Sequence, residues 1–458
     1  MTSPVTGPST PQQCPAHEPF SFYGPELTES PTELYGRLRK HGPVVPILLT
    51  PGVPAMLVVG YQAALDVMRD PETFPRNPRI WQQSVPEDCP VLPMMAFRPN
   101  CLLTDGAVHA RVRAAVSDSL DRVDLSALRV EVEVAADALI SRFASAGEAD
   151  LVTQYAAPLP LMIFNHLFGC PPEFEDRLVA GFRAVMDAGQ SGDAQKANVE
   201  LTQCLFELVS YKRSKPGTDV ISWMLAHPAG LTDEEMVHQL AMLLGAGSEP
   251  NKGLISNALR FLLSDERFAG GLYGGSLHVE DAIDEVLWTE PPLANYGATY
   301  PERDLDFAGV RLPANQPVVT SYAGANTDPS VASTFRTGNR AHLAWGAGPH
   351  ACPAQRIGRL IASAAIEKLL DRLPDIRLAT AVDELRWVPA PFFRTLQSLP
   401  ACFPAVPRHM QPGPVESAQE VATRQTNAAG SPSVPASGAG VDTRTGWWAA
   451  LVRWWDYG

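Results

Sequence analysis

The sequence predicts a mainly α-helical protein of the α+β class with a small β-sheet. Residues 127–229 read as a series of amphipathic helices, and residues 231–263 as one long helix with a capped start. Strands are predicted for the apolar runs 44–48 and 55–59, and for two short runs around Gly309. No internal linker divides the first 400 of the 458 residues, so we expect one large domain.

The composition excludes several classes of function. The formal net charge of −14 is unfavourable for binding nucleic acid through bulk electrostatics. We expect no membrane-spanning helix, because no stretch of about 18 apolar residues occurs, and we find no pattern of a secretion signal. The seven cysteines are scattered and odd in number, which is typical of a reducing compartment. The expected location is therefore the cytoplasm.

The stretch from His342 to Arg359 carries the strongest chemical signal. Two glycines and a proline predict a tight loop before Cys352, and apolar residues recur at helical spacing after Pro353. Pro353 suits the first position of a helix, where its missing N–H costs nothing. Cys352 is therefore predicted to lie at a helix N-terminus, where the dipole and the free N–H groups favour a thiolate.

Three interpretations of this stretch compete. The least specific is a buried structural cysteine. A dinucleotide-binding fingerprint is formally present in Gly346, Gly348 and Ala351, but the acidic residue at the required spacing, Asp371, lies inside a helical pattern. Two prolines also interrupt the fingerprint helix, which excludes this interpretation. The third is a loop that presents a thiolate to haem iron.

The third interpretation has a family resemblance behind it. The loop resembles the cysteine-ligand loop of cytochrome P450 enzymes, F-x-x-G-x-[HR]-x-C-x-G. Trp345 stands at the aromatic position, Gly348 at the glycine, His350 at the basic residue and Cys352 at the ligand. Ala354 replaces the last glycine of the pattern.

This resemblance covers residues 20–403 and implies the cytochrome P450 fold, with haem b between a long central helix and the cysteine loop. It implies that the Cys352 thiolate binds the iron and favours O–O cleavage. The loop residues that it places at the cofactor are Trp345, Gly346, His350, Cys352 and Ala354.

A second landmark is the pattern Asp105-x-x-x-His109-x-x-x-Arg113. Asp105 is predicted to be the N-cap of a helix on which His109 and Arg113 lie one turn apart. Taken alone, the pattern is also typical of a solvated helix face. In the resembled family it binds a haem propionate through charge-assisted hydrogen bonds. The family often has another propionate-binding arginine where this chain has Thr299, so we expect His109, Arg113 and His350 to carry more of that binding.

The long predicted helix contains the sequence Ala246-Gly247-Ser248-Glu249-Pro250, which resembles the A-G-x-[DE]-T pattern of the family. Pro250 predicts a kink, and a purely structural kink and a groove widened for a ligand explain it equally well. The resemblance places Ala246, Gly247, Glu249 and Pro250 at the catalytic site. Pro250 stands where the family has the threonine hydroxyl that relays protons. The proton would then come from water, a substrate hydroxyl, Ser248 or Asn251.

A further departure from the family pattern lies at Trp288. Glu285 matches the acid of the E-x-x-R pattern, but Trp288 replaces the arginine, a change that some actinobacterial members share. Removing one partner of a buried ion pair costs about 3–5 kcal/mol. We hypothesise that the Trp288 ring fills the vacated volume and that Arg336 pairs with Glu285.

Both ends of the chain differ in composition from the domain between them. Residues 1–19 and 404–445 are predicted to be disordered. Residues 446–458 form a Trp-rich tail, and Trp447–Tyr457 reads either as a docking peptide for a partner or membrane surface or as a segment that folds back on the domain.

The resemblance implies a monooxygenase that inserts one oxygen atom from O₂ into a small organic substrate, hydrophobic and of the secondary-metabolite kind. No reductase signature occurs in the chain, so electrons are expected from a ferredoxin and its reductase. The departures from the family pattern leave two alternatives open, a weakened haem protein acting as a sensor or regulatory partner, and a peroxide-driven oxygenase.

Overall fold

In the computed structural model of the chain, residues 19–86, 89–191, 194–264, 279–331 and 338–407 are described. Several predictions lie outside the described residues. They concern the N-terminal segment, nearly all of the 404–445 linker, the Trp447–Tyr457 tail and the partner role of Arg336.

Helices make up most of the described chain, as the sequence predicts. Their bounds are α1 Pro25–Glu29, α2 Pro31–Arg39, α3 Tyr61–Arg69, α4 Leu92–Met95, α5 Gly106–Leu120, α6 Leu125–Phe143, α7 Pro158–Leu167, α8 Pro172–Ser191, α9 Ala194–Ser214, α10 Val220–Leu225, α11 Asp233–Ser264, α12 Val279–Thr289, α13 Tyr322–Asn326 and α14 Gln355–Arg372.

The strands form a small five-stranded sheet, a three-stranded sheet and a hairpin. Their bounds are β1 Phe20–Ser21, β2 Val44–Thr50, β3 Val53–Val58, β4 Glu148–Asp150, β5 Asn295–Thr299, β6 Leu305–Phe307, β7 Val310–Leu312, β8 Val318–Ser321, β9 Arg377–Leu378 and β10 Pro400–Cys402. The five-stranded sheet has the order β1-β2-β3-β8-β5, in which β3 and β8 run parallel and β5 pairs antiparallel with β8.

Local residue preferences explain the predicted strand pairs. β2 and β3 pair antiparallel around Pro51-Gly52, and Gly52 adopts φ +77°, which a residue without a Cβ tolerates best. The β6–β7 hairpin turns at Ala308 and Gly309, both with positive φ, as the tight hairpin turn requires. The fourteen helices and the small sheets together confirm the prediction of a mainly helical α+β fold for the described residues.

The long helix α11 positions the candidate site. It lies within the main hydrophobic cluster and contacts α7, α9, α12 and α14. Its helical conformation continues through Pro250, so the kink predicted there does not interrupt the helix. Within the described part of the chain, no helix is both long enough and apolar enough to cross a membrane.

Candidate functional site

The cysteine loop lies between the 3₁₀ turn Gly348–His350 and the start of α14. The Cys352 backbone N–H donates to the Trp345 carbonyl oxygen at 2.7 Å, which closes the loop. Trp345 packs its ring against Gly358, where a Cβ would lie 3.2 Å from the indole Cη2 atom. The loop is therefore held from within and by the first turn of α14.

The helix that follows the loop starts later than predicted. α14 begins at Gln355, so Pro353 lies in the preceding turn and is not the first helical residue. Burial raises the pKa of the Cys352 thiol, while the Ala354 backbone N–H and the charge of Arg113 lower it by less. The backbone N–H at the start of α14 and the charge of Arg113 therefore both favour the thiolate form, as the sequence predicts, and burial opposes it.

The predicted histidines do come together. The rings of His109 on α5 and His350 on the loop lie 4.1 Å apart between centroids and are tilted by 37°. His109 Nε2 and both ring nitrogens of His350 are buried without a hydrogen-bond partner. Burial, and to a lesser extent the nearby His350 and Arg113, lower the pKa of His109 to about 4. Two buried imidazoles with unpartnered nitrogens form a ready site for an anion.

Asp105 precedes α5 at the N-cap position, but its side chain does not cap the helix. Oδ2 accepts instead from the backbone N–H of Arg76 at 2.7 Å. Oδ1 lies 3.4 Å from His350 Nε2, which is an ion-pair distance without the alignment of a hydrogen bond. Asp105 therefore connects the segment around residue 76 to the histidine pair.

Arg113 reaches the cysteine loop from α5. Its Nη2 donates to the Ala351 carbonyl oxygen, and its Nε donates to Ser117 Oγ at 3.0 Å. The charge of Arg113 thus lies next to the residue that precedes Cys352. Thr299 at the end of β5 is buried and donates its hydroxyl to the Val318 carbonyl oxygen, so that it offers no cation here.

The face of α11 that bears Ala246 is open. Ala246 is exposed although it lies in the middle of the central helix, and Pro250, one turn later, is half-buried. Ser248 is buried and lies about 200° around the helix from Ala246. Its hydroxyl has no hydrogen-bond partner among the described residues. Ser248 therefore does not share the open face with Pro250.

The other predicted residues of α11 have local partners. Gly247 packs against α7, where a Cβ would lie 2.0 Å from Phe164 Cζ, so this glycine serves a close approach of two helices. Glu249 forms an ion pair with Lys252. Asn251 donates its side-chain amide to the Gly247 carbonyl oxygen at 2.7 Å. Pro250 remains beside Ala246 on the open face.

Sequence reasoning missed an ionic cluster behind the loop. Arg359 on α14 donates to Asp284 Oδ1 on α12 at 2.5 Å and also pairs with Glu280. Arg340 lies 3.3 Å from Asp284 and 3.4 Å from Glu280. The cluster joins the helix after the cysteine loop to the helix that carries Trp288.

Trp288 is buried, as hypothesised. Its Nε1 donates to the Asn339 carbonyl oxygen at 2.7 Å, and its ring meets the edge of His342. The hypothesis that its ring occupies interior volume is consistent with a side chain that is 2% exposed. Glu280, Asp284 and Trp288 follow one another at intervals of four residues on α12. The two acids of the cluster therefore lie on the same side of the helix as the Trp288 ring.

The residues present at this site fit a haem group. A thiol on a rigid loop is the axial donor that haem iron accepts in a thiolate protein. The unpartnered nitrogens of His109 and His350 suit the carboxylates at the cofactor edge. Ala246 is exposed on α11, the long helix that packs against α14 beyond the cysteine loop.

A scan against protein-family models gives no match. Individual proteins of known function do match this chain. The chain is 31% identical over 393 residues to cytochrome P450 monooxygenase PikC of Streptomyces venezuelae, which covers 82% of this chain and 92% of PikC. It is 30% identical to 2-hydroxy-5-methyl-1-naphthoate 7-hydroxylase of Streptomyces carzinostaticus, covering 76% of this chain and 89% of that enzyme.

Among solved structures, CYP154A1 from Streptomyces coelicolor superposes with a TM-score of 0.74 at 26% identity. The match covers 84% of this chain and all of that chain, 100%. Proteins of this kind bind protoporphyrin IX haem through a cysteine thiolate. The chain therefore belongs to the cytochrome P450 family of monooxygenases.

Proposed function

We propose that the chain is a haem-thiolate monooxygenase with Cys352 as the iron ligand. Its reaction would insert one atom of O₂ into a small hydrophobic substrate of the secondary-metabolite kind. The observation that carries the proposal is the half-buried Cys352 on a closed loop beside two histidines, three of whose ring nitrogens are buried without a hydrogen-bond partner. Haem, when bound, supplies the oxygen chemistry. The protein supplies binding, orientation and control of protons.

Each side chain at the site has a distinct part in this proposal. Cys352 would bind the iron, and His109, Arg113 and His350 would bind the carboxylates of the cofactor. Arg113 also bonds to the Ala351 carbonyl oxygen, so it would couple cofactor binding to the position of the cysteine loop. The open face at Ala246 and Pro250 would border the reacting oxygen and the substrate.

Electrons would come from a ferredoxin and its reductase. The net charge of −14 is unfavourable for nucleic acid as a partner. The described cysteines, which include Cys89, Cys101 and Cys352, are free thiols, and this supports a cytoplasmic location. Trp288 in place of the E-x-x-R arginine would assign the chain to the atypical members of the family.

The first prediction concerns the ligand itself. We expect the reduced, CO-bound protein to show the red-shifted Soret band of thiolate-ligated haem. Cys352→Ser should abolish that band, because a serine hydroxyl is a far weaker anionic donor than a thiolate. Absorption spectroscopy of the purified proteins measures this. Cys402→Ser is the matched control, since Cys402 is another half-buried free thiol, but in the three-stranded sheet. A wild-type band that persists in Cys352→Ser would refute the proposal.

The second prediction concerns proton delivery. Pro250 occupies the open face one turn after Ala246 and carries no hydroxyl, and Glu249 is paired with Lys252. With a substrate that lacks hydroxyl groups, we expect much of the electron flow to end as hydrogen peroxide. Pro250→Thr should raise the ratio of product to peroxide severalfold, because it restores a hydroxyl on this face.

Pro250→Val is the matched control for this prediction. Valine has the shape of threonine without its hydroxyl, so it reproduces the loss of the proline ring but not the proton donor. The ratio of product to peroxide should rise only in Pro250→Thr. An equal rise in both variants would show that the backbone change, rather than a proton relay, limits coupling.

Two alternatives are favoured by specific residues. Pro250, Trp288 and Thr299 each stand where the family pattern has a functional residue. A weakened haem protein that acts as a sensor or regulatory partner would carry such changes, as would an oxygenase driven by peroxide. Turnover of a compound panel with ferredoxin and NAD(P)H, compared with peroxide alone, separates the three functions. Product with ferredoxin supports the monooxygenase.

A further inference from the structure

Arg76 is a buried cation with no carboxylate partner among the residues that the structure describes. Four lysine and arginine residues of the described chain are buried, namely Arg76, Lys212, Arg359 and Arg394, and Arg76 is 6% exposed. The other three lie within 4 Å of a carboxylate. The distances are 2.7 Å from Lys212 to Asp219, 2.5 Å from Arg359 to Asp284 and 3.6 Å from Arg394 to Glu290.

The groups that the structure places directly beside the Arg76 guanidinium are the Gly297 backbone and the Tyr322 hydroxyl, which are both neutral. Its guanidinium passes over Gly297 of β5, where a Cβ would lie 3.2 Å from Arg76 Nη1 and 2.7 Å from the Tyr322 hydroxyl. Gly297 thus leaves the room that the guanidinium and the hydroxyl occupy. Asp105 does not pair with the guanidinium: its Oδ2 accepts from the Arg76 backbone N–H, and its Oδ1 has no hydrogen-bond partner.

Arg76 belongs to the same electrostatic cluster as the histidine pair. Asp105 connects them, because its Oδ2 accepts from the Arg76 backbone N–H at 2.7 Å and its Oδ1 lies 3.4 Å from His350 Nε2. Around Asp105, the two arginines Arg76 and Arg113 therefore bring positive charge, and the imidazoles of His109 and His350 bring hydrogen-bonding groups, to one place. A buried guanidinium of this kind is costly unless an anion neutralises it. Within the described residues, no carboxylate lies at ion-pair distance from the Arg76 guanidinium to play that part.

We infer that Arg76 binds a carboxylate of the haem, in the role that an arginine at position 299 would have. Thr299 lies on the strand that Arg76 crosses, and Tyr300, the next residue, donates its backbone N–H to the Pro75 carbonyl oxygen at 2.7 Å. The cation would thus be supplied by the segment between α3 and α4 rather than by β5. This inference rests on the proposed haem-binding function.

The test measures how firmly the haem-loaded protein holds its cofactor. We expect Arg76→Gln to lose haem to excess apomyoglobin about 10- to 100-fold faster than wild type, because a charged hydrogen bond to the carboxylate is removed. Arg76→Lys should lie between the two, since lysine keeps the charge without the fork of donors. Arg79→Gln is the matched control, because Arg79 is an exposed arginine three residues away that stacks on Phe97.

Two further readouts separate a carboxylate contact from a general structural role. The reduction potential of Arg76→Gln should fall, because a nearby cation favours the form that has gained an electron. The second readout uses haem whose carboxylates are esterified. With this haem, wild type and Arg76→Gln should lose the cofactor at equal rates, as in a double-mutant cycle.

Two results of these haem-loss measurements would contradict the role of Arg76. Equal haem loss from wild type and Arg76→Gln would overturn the inference, and so would an Arg76→Gln effect that persists with esterified haem. Failure of the proposed function is seen separately, because wild type would then lack the thiolate Soret band. If that band is present and Arg76→Gln still behaves as wild type, only the assignment of Arg76 is wrong.

Discussion

Arg359→Met is expected to lower the free energy of unfolding by about 3–5 kcal/mol. Arg359 is 8% exposed and Asp284 is 4% exposed, and their charges lie 2.5 Å apart. Methionine would fill much of the side-chain volume but leave the buried Asp284 carboxylate without its closest cation. Urea denaturation of the haem-loaded protein, followed by far-UV circular dichroism, measures the change. Haem retention should fall as well, because Arg359 lies on the first turns of α14, directly after the cysteine loop.

Arg340→Met is the matched control. The Arg340 side chain is 54% exposed and lies at 3.3–3.4 Å from the same two acids, so its loss should cost less than about 1 kcal/mol. The double variant Arg359→Met/Asp284→Leu should recover most of the loss, since it leaves no buried charge without a partner. Equal stability of Arg359→Met and Arg340→Met would contradict this account of the cluster.

The sequence predicts elements well where the determining residues are neighbours. The β2–β3 pair depends on a turn at Pro51-Gly52, and α3 begins and ends where its apolar spacing does, at Tyr61 and Arg69. The pairing of His109 with His350 could be predicted only through the family resemblance. No local pattern links two residues on separate elements that meet through the tertiary fold.

The ionic cluster shows what local patterns miss. The family pattern directs attention to Glu285 and to a partner three residues later, where this chain has Trp288. The contact between Arg359 and Asp284 instead joins residues 75 positions apart, and the acid is one residue earlier in the chain. Asp284 is fully on the buried side of α12, whereas Glu285 is half-buried. Only the packing of α12 against α14 reveals this difference.

Arg76 escaped the sequence patterns for a similar reason. It lies in a proline-rich stretch without periodicity, which has the composition of a surface loop. Its burial follows from the crossing of that stretch over Gly297. The signal that could have directed a search to it is indirect, namely Thr299 at the position where the resembled family often has an arginine.

Gly348→Ala is expected to destabilise the cysteine loop by about 2–5 kcal/mol. Gly348 adopts φ +67°, and a Cβ there would lie 2.3 Å from the Met68 carbonyl oxygen of α3. Because the obstacle is backbone within a helix, it cannot move aside as a flexible side chain would. The loop must therefore shift away from α3, and the residues beyond it, including Cys352, shift with it.

Gly346→Ala provides a control with the same backbone conformation. Gly346 has φ +69°, but the atom nearest to a Cβ there is the His350 carbonyl oxygen at 3.6 Å, an ordinary contact. Both variants carry the strain of an L-residue at positive φ, about 1–2 kcal/mol, so their difference isolates the contact with Met68. Urea denaturation should show the larger loss in Gly348→Ala, and the thiolate Soret band of the CO-bound protein should weaken most in that variant. Equal losses in the two variants would mean that α3 does not hold the loop, and that backbone conformation alone accounts for the requirement for glycine.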